Sequence, residues 1–145
     1  MYNILGDLQI HSGILLHQLP CSGIVYPRIA FSLSDFTAEE LVQANMLCSL
    51  FGKLPTDRCS ALTLQQEIKR YTGRMGFSIS LRSHPKDPSR CAPMLSAHVA
   101  VLPENVEKGL SLLAEILFHT DFSQQEKIEE IAQQIELAVD RKSVV

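Results

Sequence analysis

The chain has 145 residues, 46% of them hydrophobic, and its 13 Lys and Arg against 16 Asp and Glu give a formal charge of −3. A chain of this length is expected to form one domain that buries about 68–70% of its unfolded surface, a sizeable core without staples. The acidic balance and the lack of a basic stripe argue against nucleic acid as a partner, and the longest unbroken apolar run, Val99–Leu102, falls far below the ~18 residues of a membrane span.

Met1 to Ile10 carries neither a basic region nor an apolar stretch, so no secretory leader is expected. Ile10 to Gln18 is a weak strand candidate, and Leu19 to Gly23 reads as a turn. Gly23 to Leu33 reads as a strand, because Ile29, Phe31 and Leu33 alternate with Arg28, Ala30 and Ser32. Pro27 inside it places that strand at an edge or gives it a bulge.

Helices follow. Thr37-x-x-Glu40 is a capping box, and Leu41, Ala44, Cys48 and Phe51 follow at helical spacing, with Leu47 beside them. Gly52 and Pro55 close this helix. Thr63-x-x-Gln66 is a second box before Leu64, Ile68 and Tyr71, with Gly73 expected as the C-terminal cap.

Two strands come next. Phe77, Ile79 and Leu81 alternate with Ser78, Ser80 and Arg82, and Leu95, Ala97, Val99 and Val101 alternate with Met94, Ser96, His98 and Ala100. The alternation predicts Phe77, Ile79, Leu81, Leu95, Val99 and Val101 buried against helices, with Ser78, Ser80 and His98 on the other face. The proline-rich stretch Ser83–Pro93 reads as a surface loop joining them. Pro103 suits a first helical turn. Val106, Leu110, Leu113 and Leu117 form a third helical stripe, widened by Leu112 and Ile116. Ser123-x-x-Glu126 opens a last helix with Ile128, Ile131, Ile135 and Ala138 or Val139 as its stripe, still running at Arg141 and Lys142. The order ββααββαα predicts an α+β fold, a mainly antiparallel sheet with helices on one face.

Chemical motifs are sparse. The cysteines Cys21, Cys48, Cys59 and Cys91 contain no C-x-x-C and are expected as reduced thiols in the cytoplasm. His84, Cys91 and His98 flank one hairpin, but a proline-rich loop and the polar side of a strand are a poor frame for a zinc site. No H-E-x-x-H, H-x-x-E-H or G-x-S-x-G motif and no phosphate-binding glycine loop is present. Glu126, Glu129 and Glu130 read as a solvated face near a helix start. The string Tyr71-Thr72-Gly73-Arg74-Met75-Gly76 reads physically as a helix end running into a strand.

That string, with others, resembles the presequence-protease branch of the pitrilysin and insulinase zinc metallopeptidases. Cys21 to Tyr26 is similar to the branch's T-N-G-I-x-Y strand start, with Ser22 in place of its asparagine. Ile29–Ser34 and Thr37–Leu54 resemble the strand and helix that follow. Leu64–Ile79 resembles the helix, T-G-G and strand segment, with Arg74 in place of the second glycine. The likeness runs from roughly Ile14 to Lys142.

The resemblance implies a metallopeptidase fold of the mitochondrial processing peptidase type, incomplete in residues 1–145, which match the start of a non-catalytic C-terminal half. In such enzymes two halves close around a peptide chamber, and the other half carries H-x-x-E-H and zinc. The implied partners are that catalytic half and a peptide substrate. No catalytic, cofactor-binding or metal-binding residue transfers to this chain, and no activity is expected of it alone. Two alternatives remain open: a free-standing interaction module that oligomerises, and an independent Cys–His enzyme. The wide stripe of Leu110 to Leu117 and the stripe of Ile128, Ile131 and Ile135 also suggest a symmetric homodimer through the last helix or a strand edge.

Overall fold

A computed structural model describes residues 8–11, 14–18, 20, 22–84 and 87–142. The expectations for Met1–Asp7, Leu19 and Cys21, and for the side chains of His84, Ala138 and Val139, lie outside the described residues. The fold is α+β, built on a three-stranded antiparallel sheet and four helices.

The chain begins with a small hairpin, β1 (Leu8–His11) and β2 (Ile14–His17), paired to itself. The single strand expected over Ile10–Gln18 is thus two short ones, forming a separate two-stranded sheet. Ser22 and Gly23 then turn the chain with φ of 52° and 78°. The strand expected from Gly23 is regular only as β3 (Arg28–Ser32). Val25 still exchanges backbone hydrogen bonds with Val101, at 2.8 and 2.9 Å, and Val99 donates to the Pro27 carbonyl at 3.1 Å. Pro27 has no N–H to return, and it interrupts an outer strand, where that loss is cheapest.

Helix α1 (Ala38–Leu50) opens on Thr37, and the box is formed: Glu40 donates its N–H to Thr37, and Thr37 N–H donates to Glu40 Oε2 at 2.7 Å. Gly52, at φ 76°, turns the chain out of the helix. Helix α2 (Ala61–Tyr71) starts three residues earlier than the Thr63 box implied. Ser60 caps it by accepting from Thr63 N–H at 3.2 Å, so the first serine of the run wins the cap. Gly73 is not a left-handed cap. Thr72 ends the helix in extended conformation, and Gly73 N–H already donates to Ala100 across the sheet at 2.8 Å.

β4 (Arg74–His84) and β5 (Asp87–Ala100) form one long hairpin, in sheet order β3-β5-β4. Most of the stretch expected as a loop is therefore strand, with register shifting only near Ser83 and His84. Pro93 is tolerated inside β5 because it pairs through its carbonyl, which accepts from Leu33 N–H at 2.9 Å. After a 3-10 turn at Pro103–Asn105 come α3 (Val106–His119) and α4 (Gln125–Lys142). The Ser123 N–H ahead of α4 donates to Asp121 Oδ1 at 2.9 Å.

The helices cover one face of the sheet. Leu95, Ala97 and Val99 of β5 and Val101 just beyond it are buried, Ala97 completely, against Leu113 of α3 and Ala44 and Cys48 of α1. Phe77 and Ile79 share that face, half-buried, and Phe77 stacks on Phe51 with ring centroids 4.9 Å apart. Leu81 departs from the expectation, at 69% exposed: it has the right parity but lies beyond the reach of the helices. Leu64, Leu112 and Ile116 knit α2 to α3. Full burial of a leucine or isoleucine is worth about 1.5–3 kcal/mol.

The last helix also departs from expectation. Ile131 is buried and Ile128 and Ile135 half-buried against Leu50 and Leu54, so the stripe expected to lie open is covered by the end of α1 and the chain after it. Gly109 sets how closely α3 approaches the sheet. A Cβ there would lie 2.7 Å from Val101 Cγ1 and 3.6 Å from Val99. Gly109→Ala is therefore expected to lose about 1–3 kcal/mol to overpacking, offset by at most ~1 kcal/mol of helix propensity. Urea unfolding checks this against Ser111→Ala on the exposed side of the helix, which should leave the midpoint near wild type. An unchanged midpoint for Gly109→Ala would mean α3 can lift off β5 without cost.

Candidate functional site

Strand parity puts every second residue of β3, β4 and β5 on the face away from the helices. Three cross-strand rows build it: Arg28, His98 and Gly76; Ala30, Ser96 and Ser78; Ser32, Met94 and Ser80. Arg74 lies opposite Ala100, and Arg82 opposite Ala92. Small side chains make most of the floor, with Met94 among them, and Arg28, Arg74 and Arg82 are its long cationic residues. Arg28, Arg74 and Arg82 are exposed, and no ion pair holds them among the described residues. As expected, Ser78, Ser80 and His98 fall on this face. Ser78 is exposed, while Ser80 and His98 are half-buried.

His98 lies across Gly76. A Cβ on Gly76 would come within 2.8 Å of both Cε1 and Nε2 of the imidazole, so only glycine leaves the ring this position. Burial, and then the positive charges of Arg28 and Arg74, hold His98 below the ordinary histidine range. The ring is thus neutral near neutral pH, between two guanidinium groups.

Of the residues weighed as metal ligands, Cys91 and His98 do not converge. Cys91 is exposed and pairs with Ser83 near the hairpin tip, seven positions from His98 along β5. That is roughly 24 Å at strand rise, and odd spacing puts the two on opposite faces. Among the described residues no three of His, Cys, Asp and Glu are grouped to hold a metal ion. Cys91 and His98 therefore do not share a zinc site.

Cys48 offers little nucleophilic chemistry. Burial pushes the Cys48 thiol up from its ordinary value, which disfavours the thiolate. Cys59 sits in a polar clasp that sequence reading missed. Thr56 Oγ1 donates to Glu115 Oε1 at 2.7 Å and accepts from Cys59 N–H at 3.2 Å, while Cys59 Sγ lies 3.6 Å from the same carboxylate oxygen. Asp57 N–H donates to the His119 carbonyl at 3.1 Å, and the Asp57 carboxylate meets His119 Nδ1 at 3.0 Å. That bond to His119 holds Asp57 below the usual carboxylate range. The clasp ties the α1–α2 connection to the end of α3, a structural role. No sequence motif marks it, because its partners lie more than fifty residues apart. Glu126, Glu129 and Glu130 are exposed, as expected, and Lys127 pairs with Glu130 at 3.2 Å. Among the described residues no helix is long and apolar enough to cross a membrane.

The family described as associated with the peptidases of family M16, subfamily C, matches residues 6–142 of the chain. The protein HypA of Clostridium perfringens (strain 13 / Type A) is 24% identical over 117 residues, 81% of this chain. The match spans 12% of that relative's length.

The environment of His98 makes stability depend on pH. Above the histidine range the ring is neutral folded and unfolded, and contributes nothing. As pH falls through about 6.5, the unfolded chain takes the proton first, so the folded state loses stability until its own lowered value is passed. Glu40, Asp57 and Asp121 are held low by hydrogen bonds, so what they contribute is lost further down, below about pH 4. Thermal melts from about pH 7 to 5 should therefore fall more steeply for wild type than for His98→Gln. Equal slopes would show that burial and the two arginines together leave the ring unperturbed.

Proposed function

The chain belongs to the family associated with the subfamily C peptidases of family M16, and from that premise we propose that it is a non-catalytic part of a zinc metallopeptidase, supplying wall and peptide contacts to a degradative chamber. The carrying observation is the family match over residues 6–142. The proposed partners are the enzyme's catalytic half and an unfolded peptide. This reading assigns zinc to that other half, the one that carries H-x-x-E-H. An open sheet face with a floor of small side chains supports the reading, because it leaves room for an extended chain. The T-G-G-like string, with Arg74 in place of its second glycine, supports a parent in the presequence-protease branch. The cysteine reading above supports a cytoplasmic enzyme.

Oligomerisation as a free-standing module is less well supported. The α4 stripe that motivated a homodimer is occupied by Leu50 and Leu54. Phe118, Leu110 and Leu137 remain exposed, and the remainder of a larger enzyme is the occupant that this reading assigns them.

The test is reconstitution. The chain is mixed with a catalytic half carrying H-x-x-E-H, and cleavage of an unstructured fluorogenic peptide is followed with and without chelator. Alone, the chain should give no chelator-sensitive turnover. Together, the two should copurify and cleave faster than the catalytic half by itself. Turnover by the chain alone, or failure both to associate and to raise the rate, would overturn the proposal.

A further inference from the structure

The chain is acidic overall, with a formal charge of −3, yet the end of its open sheet face that holds Arg28, His98 and Arg74 carries no acidic side chain; Asp87, opposite His84, stands at the far end of the hairpin. Arg28 stands on one outer strand and Arg74 on the other, with His98 and Gly76 between them. Acidic side chains cluster elsewhere, at the start of α1 and along the exposed side of α4. The asymmetry is local, and strand parity creates it.

We propose that the open face of the sheet docks an acidic, extended peptide segment, whose carboxylates pair with Arg28 and Arg74. The proposal deepens the peptide-handling role above and rests on it. Charge complementarity selects the occupant. No carboxylate of the described chain satisfies either guanidinium, and each presents a planar fork suited to a carboxylate.

Spacing supports an extended segment. Arg28 lies in the His98 row and Arg74 in the adjacent same-face row, opposite Ala100. Same-face rows repeat every two residues, roughly 7 Å. Across the sheet the two arginines are also two strand spacings apart, roughly 10 Å, so a peptide laid over β5 carries same-side carboxylates at the row interval between them, each within reach of one long arginine side chain. Gly76 and the serines keep the floor low enough for a backbone to approach. Each exposed pair alone is worth only about 0–1 kcal/mol, so recognition requires several carboxylates on one segment.

Fluorescence anisotropy on the full chain tests this. The probe is a short labelled peptide of alternating glutamate and serine, compared with the same peptide carrying glutamine or lysine for glutamate. The glutamate peptide is expected to bind about tenfold tighter than the glutamine peptide and to weaken as salt is raised. Arg28→Gln with Arg74→Gln should abolish that preference. Lys53→Gln with Lys69→Gln removes the same charge away from this face and should keep it.

Equal binding of the glutamate and glutamine peptides, or a preference for lysine, overturns the acidic selectivity and leaves the peptide-handling role standing. An equal loss in the lysine variant assigns the effect to net charge and overturns the site. A single-stranded oligonucleotide that outcompetes the glutamate peptide here overturns the choice of occupant. If none of the three peptides binds, the docking proposal fails, while reconstitution with the catalytic half tests the broader role separately.

Discussion

The seating of α3 on the central strand is the contact on which the rest of the fold depends. β5 is the one strand bonded on both sides, and its row Leu95, Ala97 and Val99, with Val101 just beyond it, is the most thoroughly buried part of the sheet. Gly109 lets the helix backbone come close enough for Leu113 and Ile116 to be fully excluded from water. With α3 in place, Leu112 and Ile116 receive Leu64 of α2, and Lys108 reaches Glu67 at 2.9 Å. The ion pair is part-exposed and worth little by itself. The apolar contacts beneath it carry the energy, since dispersion and burial scale with the area excluded.

That seating also separates the two faces. Burying one row of each strand turns the alternate row outward, so the cationic and small residues of the open face follow from the same parity that builds the core. A one-residue slip of β5 would bury His98 and expose Val99 together. The arrangement of Arg28, His98, Gly76 and Arg74 is therefore stabilised by the hydrophobic core behind it rather than by contacts of its own.

A wall built this way suits a part of a larger peptidase. It has a back layer of helices packed on the sheet and a front built largely of small side chains. In the proposed chamber its contribution is position and charge. Phe118, Leu137 and Leu62, exposed on the helical side, are apolar surface of the kind that further chain would cover.

Much of this was legible in local pattern. Alternation in Phe77–Leu81 and Leu95–Val101 assigned the faces, the Thr37–Glu40 box marked the start of α1, and Pro27 marked an interrupted outer strand, because each depends on residues a few positions apart. The string around Tyr71-Thr72-Gly73 carried the family resemblance by the same local means. Other features depend on what lies across from a residue. Leu81 has the parity of a core residue and is exposed because no helix reaches it. Ile131 looked uncovered and is buried because Leu50 and Leu54 come back over it. The Thr56–Glu115 clasp and the His98 ring over Gly76 join positions that no short window contains. Sequence by itself determined periodicity, the cap of α1 and the broad M16-associated family, since backbone geometry and local hydrogen bonding dictate local pattern. Only the tertiary structure decided which apolar stripes are covered and which charges share a surface, because those depend on non-local packing.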